Sequence, residues 1–586
     1  MKIDNKTKEG KLQFFSDLYT ESQEALSRNY SELEKCMKQY QGSNEIDGSD
    51  IYATTVRNIT YEIIESQISS DIPYPKVTPS YYNSERSANA VSAERLCATL
   101  RDRLPFESLN DIDERYTYVY GGSVWYIEWD NSLRLGAEIG GVRIHCLSPM
   151  NFVPQPGIYD VEDMDFCFLK FTTTRAELVR RYGISYEEAE LAYCEWGYGT
   201  DISDGDAVTV IICFYRQDNG EIGQFIFSGE VTLSDVPSYY RRKIEVCKRC
   251  GKKAEKCACS SPVFKLEDQL SESISIKEFE GRRSFGLDDS VSEISVPYYS
   301  PTSFPIVIRK NTSGEDSLYG QSDCLFLRNE QQAINKIESR ILQKLLRSGV
   351  TPIMPEDATV AMNNAVFGQI IKMKPGESMN QYGTVDTTPD ISSDIREADR
   401  LYDHAKRTLG ISDALQGLDT ANNESGYARQ LKIAQANGRL ESKRKMKHFA
   451  YARLDRLIFE HYLAFADEAR SLYRKDAYGK VVESKFKRTD FIEYDEATGS
   501  YFYDDSYLFS VDLNGGAEYQ KELIWEKNLE NLNSGSFGDK SDPRTLLRYW
   551  QAQERAHYPH ARENVEYFCA ELTQDYKEAS SDAQIK

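Results

Sequence analysis

Four cysteines stand within thirteen residues: Cys247, Cys250, Cys257 and Cys259. Zinc asks for four soft donors in a tetrahedron, and a Cys-x-x-Cys knuckle sets two sulfurs on one side of the ion while a second short pair closes the other. Gly251 follows the first pair, where a tight turn is needed, and the second pair has one intervening residue instead of two. Two other readings compete. A redox dithiol belongs in a thioredoxin-like βαβ setting, which the flanking sequence lacks. Core thiols do not stand among Lys248, Arg249, Lys252, Lys253 and Lys256, because lysines avoid cores. The spacing therefore predicts one structural Zn2+ per chain, a staple whose four protein ligands leave no open position for water. The lysines offset the thiolate charge, with phosphate contact as the alternative. The other eight cysteines, Cys36, Cys97, Cys146, Cys167, Cys194, Cys213, Cys324 and Cys569, are scattered and read as small core residues.

Catalytic motifs are missing from the 586 residues. There is no Gly-rich phosphate loop ending in Lys and Ser or Thr, no His-Glu-x-x-His and no Gly-x-Ser-x-Gly elbow. Six histidines are dispersed, and acidic pairs carry little information at a net charge of −22. The expectation is a protein that is not an enzyme. The charge also disfavours a tight sequence-independent DNA binder, whose affinity comes from Lys and Arg on phosphates. It fits a surface that passes DNA without holding it, and it equally fits ordinary solubility. No basic start followed by an apolar core is visible, and no apolar run approaches the roughly twenty residues that cross a bilayer. A soluble chain in a reducing cytosol is expected.

The elements that must position these residues are organised around the stretch 319–470. Ile334, Ile337, Ile341 and Leu345 recur at helical spacing and stop at Ser348-Gly349, with Ser322 as a candidate N-cap. A second stripe, Ile395, Ala398, Tyr402, Ala405 and Leu409, ends at Gly410. The polar segment 412–423 then leads into Glu424-Ser425-Gly426 and a helical pattern reaching about residue 470, about 65 Å long at 1.5 Å per residue. Upstream, helices are expected at 8–41, 50–69, 84–104 and 109–120. The last stops at Gly121-Gly122 before a strand over 124–130. A hairpin is expected around Asp218-Asn219-Gly220, and 260–295 reads as a polar loop or arm. Downstream come a hairpin across Ala497-Thr498-Gly499, a strand from 507, and helices at 517–532, 543–555 and 561–576.

Two medium helices around a compact insert, a loop, then one very long helix resemble the portal proteins of tailed bacteriophages. The residues that carry the resemblance are Tyr319-Gly320-Gln321-Ser322-Asp323, Gln331-Gln332-Ala333-Ile334-Asn335 with Ser339, and Glu424-Ser425-Gly426-Tyr427-Ala428. The resemblance implies an α+β portal fold. Its parts would be a wing over 1–318 with a zinc-knuckle insertion at 244–262, stem helices at 319–349 and 391–410, and a small clip at 350–390. A tunnel loop at 411–424, a long helix at 425–470, return strands at 471–514 and a helical crown with C-terminal tail at 515–586 complete it.

It further implies a ring of about twelve subunits at one vertex of the virion capsid, assembled in the host cytoplasm. Double-stranded DNA would be packaged and ejected through it. Partners would be the terminase large subunit, a head-completion or adaptor protein, and the major capsid and scaffolding proteins, with no membrane. Gln416, Gly417, Asn422 and Asn423 would face DNA in the tunnel, an ordinary mobile connector being the alternative. Arg439, Lys443, Arg444, Lys445 and Lys447 form a basic run in the long helix, read first as a subunit contact and second as a DNA contact. The rival functions are a metal-dependent DNA-processing enzyme and a non-viral helical scaffold.

Overall fold

The computed structural model describes residues 8–43, 55–81, 84–136, 138–192, 206–241, 243–249, 264–268, 271–275, 293–314, 317–347, 350–353, 383–386, 389–411, 426–475, 481–495, 497–511, 518–555, 558, 561–565 and 567–572. Its helices are α1 (Lys8–Tyr40), α2 (Ile59–Glu65), α3 (Ser84–Arg103), α4 (Phe106–Tyr120), α5 (Arg175–Tyr182), α6 (Tyr186–Glu190), α7 (Asp323–Arg347), α8 (Ser392–Leu409), α9 (Gly426–Phe465), α10 (Glu518–Asn533) and α11 (Pro543–Arg555). Every strand pair among the described residues is antiparallel, so the class is α+β. The chain divides into two compact units, one of residues 1–33, 68–321 and 441–586, the other of 34–67 and 322–440.

In the first unit, α4 ends at Gly121, whose φ of 88° is the left-handed cap that a residue without Cβ adopts freely. A Cβ on Gly122 would stand 2.7 Å from the Arg309 carbonyl, so the second glycine is required by close approach. The chain then enters a three-stranded sheet in which Gly122–Leu135 lies between Ile306–Lys310 and Glu138–Leu147. A five-stranded meander follows: Phe152–Pro154, Phe166–Thr174, Ala207–Arg216, Ile222–Ser228 and Val231–Val236. Its hairpin turns at Gly220, φ 82°, as the Asn-Gly pair predicts.

Ala207–Arg216 is almost continuously buried because alternate residues serve two cores. Ile211, Cys213 and Tyr215 meet Phe15 and Tyr19 of α1. Val210, Ile212 and Phe214 face the main core, to which α9 contributes Ala450, Tyr451, Leu454, Leu457, Ile458, Phe459, Tyr462 and Leu463. So many consecutive buried residues make this half of α9 apolar around most of its circumference, the pattern of a helix sunk in a core.

The structure corrects three sequence expectations. Residues 260–295 hold two ribbons: Lys243–Cys247 with Phe264–Asp268, and Ser271–Ser275 with Glu293–Pro297. In the second, Ile274, Ile294 and Val296 are buried while Ser273 and Ser295 are exposed. That is a period of two, too short and too polar to stand out in sequence. The helix expected at 50–69 is helical only over Ile59–Glu65 among its described residues. The long helix stops at Phe465, and Arg470 opens a strand, Arg470–Lys475, which pairs with Val481–Phe486 while the Arg470 guanidinium donates to the carbonyls of Ile139 (2.8 Å) and Gly140 (3.1 Å). At 40 residues α9 is still about 60 Å long.

The second unit is built on α7 and α8, with α2 against α7. Ile59, Ile63, Leu327, Ile334, Ala405 and Ile411 are its buried apolar core. Gly410 caps α8 with φ 75°. Val350–Ile353 pairs with Gly383–Asp386 in a four-residue ladder between the two helices. The rest of the expected clip, 354–382, lies outside the described residues.

Candidate functional site

Gln331, Asn335 and Ser339 recur every four residues on α7 and therefore share one stripe. The Gln331 side-chain oxygen accepts from the backbone N–H and hydroxyl of Thr60, both at 3.0 Å. Its amide nitrogen donates to the Arg57 carbonyl (2.7 Å) and to Asn335 (2.8 Å). Ser339 Oγ accepts from the Thr55 N–H at 3.1 Å, and Asp323 accepts from Gln67 at 3.0 Å. The polar residues that singled out this stretch in sequence thus bind the backbone entering α2 and the Gln67 side chain just beyond it. This is a role that spacing on α7 alone does not reveal.

Farther along α7, Arg340 and Lys344 both bind Asp394 in the first turn of α8, where a carboxylate also suits the helix dipole. These charges hold Asp394 below the usual carboxylate range, Lys344 contributing most. At this end the apolar stripes are open. Leu345 is 47% exposed, Leu346 69% and Ile395 44%, whereas Ile334 is fully buried.

The basic run on α9 separates into different environments. The Arg439 side chain lies outside what the structure describes. Lys443 stands over the Tyr118 ring, 4.8 Å from its centroid, and Lys445 pairs with Glu441 one turn back at 2.9 Å. Arg444 is half-buried. Lys447 points inward: its side chain is 5% exposed, 3.0 Å from Glu114, and donates to the Asp71 carbonyl at 2.6 Å. Glu114 also lies 2.8 Å from Arg309, which binds neighbouring Asp113. Asp113 accepts from Trp125 Nε1 (2.9 Å) and the Ser123 hydroxyl.

Two cations and two carboxylates thus balance inside the first unit, joining α4, Ile306–Lys310 and α9. Burial alone would raise the Glu114 carboxyl, but Arg309 and Lys447 outweigh it and hold it low. Burial lowers the Lys447 ammonium. Two turns on, Asp455 is 2.6 Å from Arg101, and burial pushes its carboxyl up to about 6 against that pairing.

A cleft of about 380 Å³ runs beside α9, lined by Arg216, Arg453, Arg456, Glu162 and Glu460 among others. Arg453 pairs with Glu162, Arg456 with Glu460 at 2.9 Å, and Arg216 donates to the carbonyls of Thr302 (2.7 Å) and Glu162 (3.1 Å). Each guanidinium therefore already has an acceptor.

Of the four clustered cysteines, Cys247 is buried at the end of the Lys243–Cys247 strand, opposite Phe264. Cys250, Cys257 and Cys259 lie outside the described residues, as do Gln416, Gly417, Asn422 and Asn423. The Cys247 to Phe264 rung means that the chain leaves and returns at one place, with the other three thiols in the connection between. No group of three or more metal-binding side chains occurs among the described residues. No helix there is long and apolar enough to cross a membrane. No family model matches the chain, and neither does any curated protein.

Proposed function

We propose that this chain is a portal-type subunit, one wedge of a ring of about twelve copies at a single capsid vertex, through which DNA is packaged and ejected. The observation that carries this reading is the far end of the α7–α8 pair, where Leu345, Leu346 and Ile395 stay exposed although their stripes are buried elsewhere. Exposed aliphatic side chains at the end of a helical pair fit a surface that a second copy covers. The order α7, ladder, α8, α9 adds support, since α9 is about 60 Å long and runs from the second unit into the core of the first.

In this reading α7 and α8 are the stem, residues 350–390 the clip that meets the terminase and later the head-completion protein, and 411–424 the tunnel loop. α10 and α11 belong to the crown. Capsid and scaffolding proteins surround the wing. The chain acts as conduit and platform, and a separate ATPase supplies the energy.

Structural zinc belongs to the same proposal. Cys247, Cys250, Cys257 and Cys259 would hold it, and the closed ribbon below Cys247 fits four thiolates gathered on one loop. Metal analysis of the purified chain should give one zinc per chain, lost in Cys250→Ser; a content far below one in the parent rejects the site.

Image averaging of the purified protein tests the main reading. A perforated particle with rotational symmetry is expected, and a monomer at high concentration under all conditions would refute it. Metal-dependent cleavage of plasmid DNA would favour a nuclease instead.

A further inference from the structure

Cys36 and Cys324 are far apart in sequence, yet both belong to the second unit and are at most 1% exposed. Cys36 lies in the last turns of α1, and Cys324 in the first turn of α7. Cys36 and Gln39 share one face of α1, Cys324 and Arg328 share one face of α7, and contacts between these faces bring the two cysteines together. Arg328, one turn along α7, places a guanidinium nitrogen 3.6 Å from the Cys36 sulfur. Gln39 donates to the Cys324 carbonyl at 3.1 Å, which fixes the two backbones beside each other.

This arrangement polarises the pair. The Cys324 thiol lowers its partner most; burial opposes it, and Ser322 and Arg328 add to it, so Cys36 sits at about 7. Burial raises Cys324, which keeps its proton. Burial also raises Cys97, Cys146, Cys167 and Cys213. The comparison with Cys167 and Cys213 is instructive. They occupy adjacent strands, but Cys167 faces the main core and Cys213 the α1 side, so they are not placed to react with each other.

We infer that Cys36 and Cys324 form a redox-active dithiol, which hydrogen peroxide converts to a disulfide fastening the end of α1 to the start of α7. The Cys36 thiolate attacks one peroxide oxygen and breaks the O–O bond, giving a sulfenic acid and hydroxide. The Cys324 sulfur, giving up its proton, then attacks the sulfenic sulfur and displaces its hydroxyl group as water. Two thiols and one peroxide yield one disulfide and two waters; sulfur is oxidised and peroxide reduced. Arg328 is a positioning residue that favours the attacking thiolate.

The full-length protein would be treated with a small excess of hydrogen peroxide, denatured, alkylated with iodoacetamide and mapped by mass spectrometry without reduction. The expected product is a linked pair of peptides carrying Cys36 and Cys324, with Cys97 and Cys146 still alkylated. In Cys324→Ser the link disappears and dimedone captures Cys36. In Arg328→Met the pH midpoint of the cross-linking rate moves up from about 7. Recovery of Cys36 and Cys324 as separate alkylated peptides, under conditions that oxidise exposed Cys569, overturns the inference. So does a link from Cys36 to any other cysteine. The unmodified sequence decides the matter, so a variant that fails to fold does not obscure it.

Discussion

Removing the Lys447 ammonium would strand Glu114 in the protein interior with only Arg309 opposite it, a guanidinium already shared with Asp113. Breaking a buried pair in this way costs about 3–5 kcal/mol, because the remaining charge keeps its desolvation penalty. Lys447→Met should therefore lower the unfolding free energy by about that amount in denaturant titration. Lys445→Met, in a pair whose partners are each 61% exposed, should leave it almost unchanged. Asp455 gives a pH signature. Its folded value of about 6 exceeds the usual unfolded value, so its contribution is complete below about pH 4 and is lost as pH rises through 6. Thermal unfolding should show the lead of the parent over Asp455→Asn shrinking by roughly 2–3 kcal/mol from pH 4 to pH 7. At this scale the sequence displayed Gly121-Gly122 and Asn219-Gly220, whose constraints are local. It could not display the partners of Lys447 or Cys36, which come from segments hundreds of positions away.

Helices α7 and α8 bury their apolar stripes unequally, and that inequality separates folding from assembly. Leu346→Glu places a charge where the side chain is 69% exposed, so the single chain should lose little stability while association through this surface fails. Sedimentation would show the parent as a large particle and the variant as a slowly sedimenting chain of normal helicity; an unchanged particle would remove this end from the interface. Both stripes were legible from their period, as was the stop at Gly410. The end of α9 was not. Arg470 is drawn to carbonyls of a strand formed more than 300 residues earlier, and no local signal announces that competition. The ribbon Ser271–Ser275 with Glu293–Pro297 was hidden for a related reason: its few buried residues gain their neighbours only after folding.

If the chain forms the proposed ring, light scattering on a sized fraction should give about twelve times 67.1 kDa, and a single-chain mass would count against it. Element order and the α+β class were readable over most of the chain because they depend on period and punctuation. Membership of the two units was not, since α1 begins in one and ends in the other, as does α9 in the opposite direction.

The ladder from Val350↔Asp386 to Ile353↔Gly383 has a separate consequence. Its rungs set the gap between outgoing and incoming backbone, so the helices below feel that spacing instead of the length or content of residues 354–382. Such a joint should behave as a socket: foreign inserts exchanged between Ile353 and Gly383 are expected to leave the helical content of the chain unchanged, which circular dichroism of such chimeras checks.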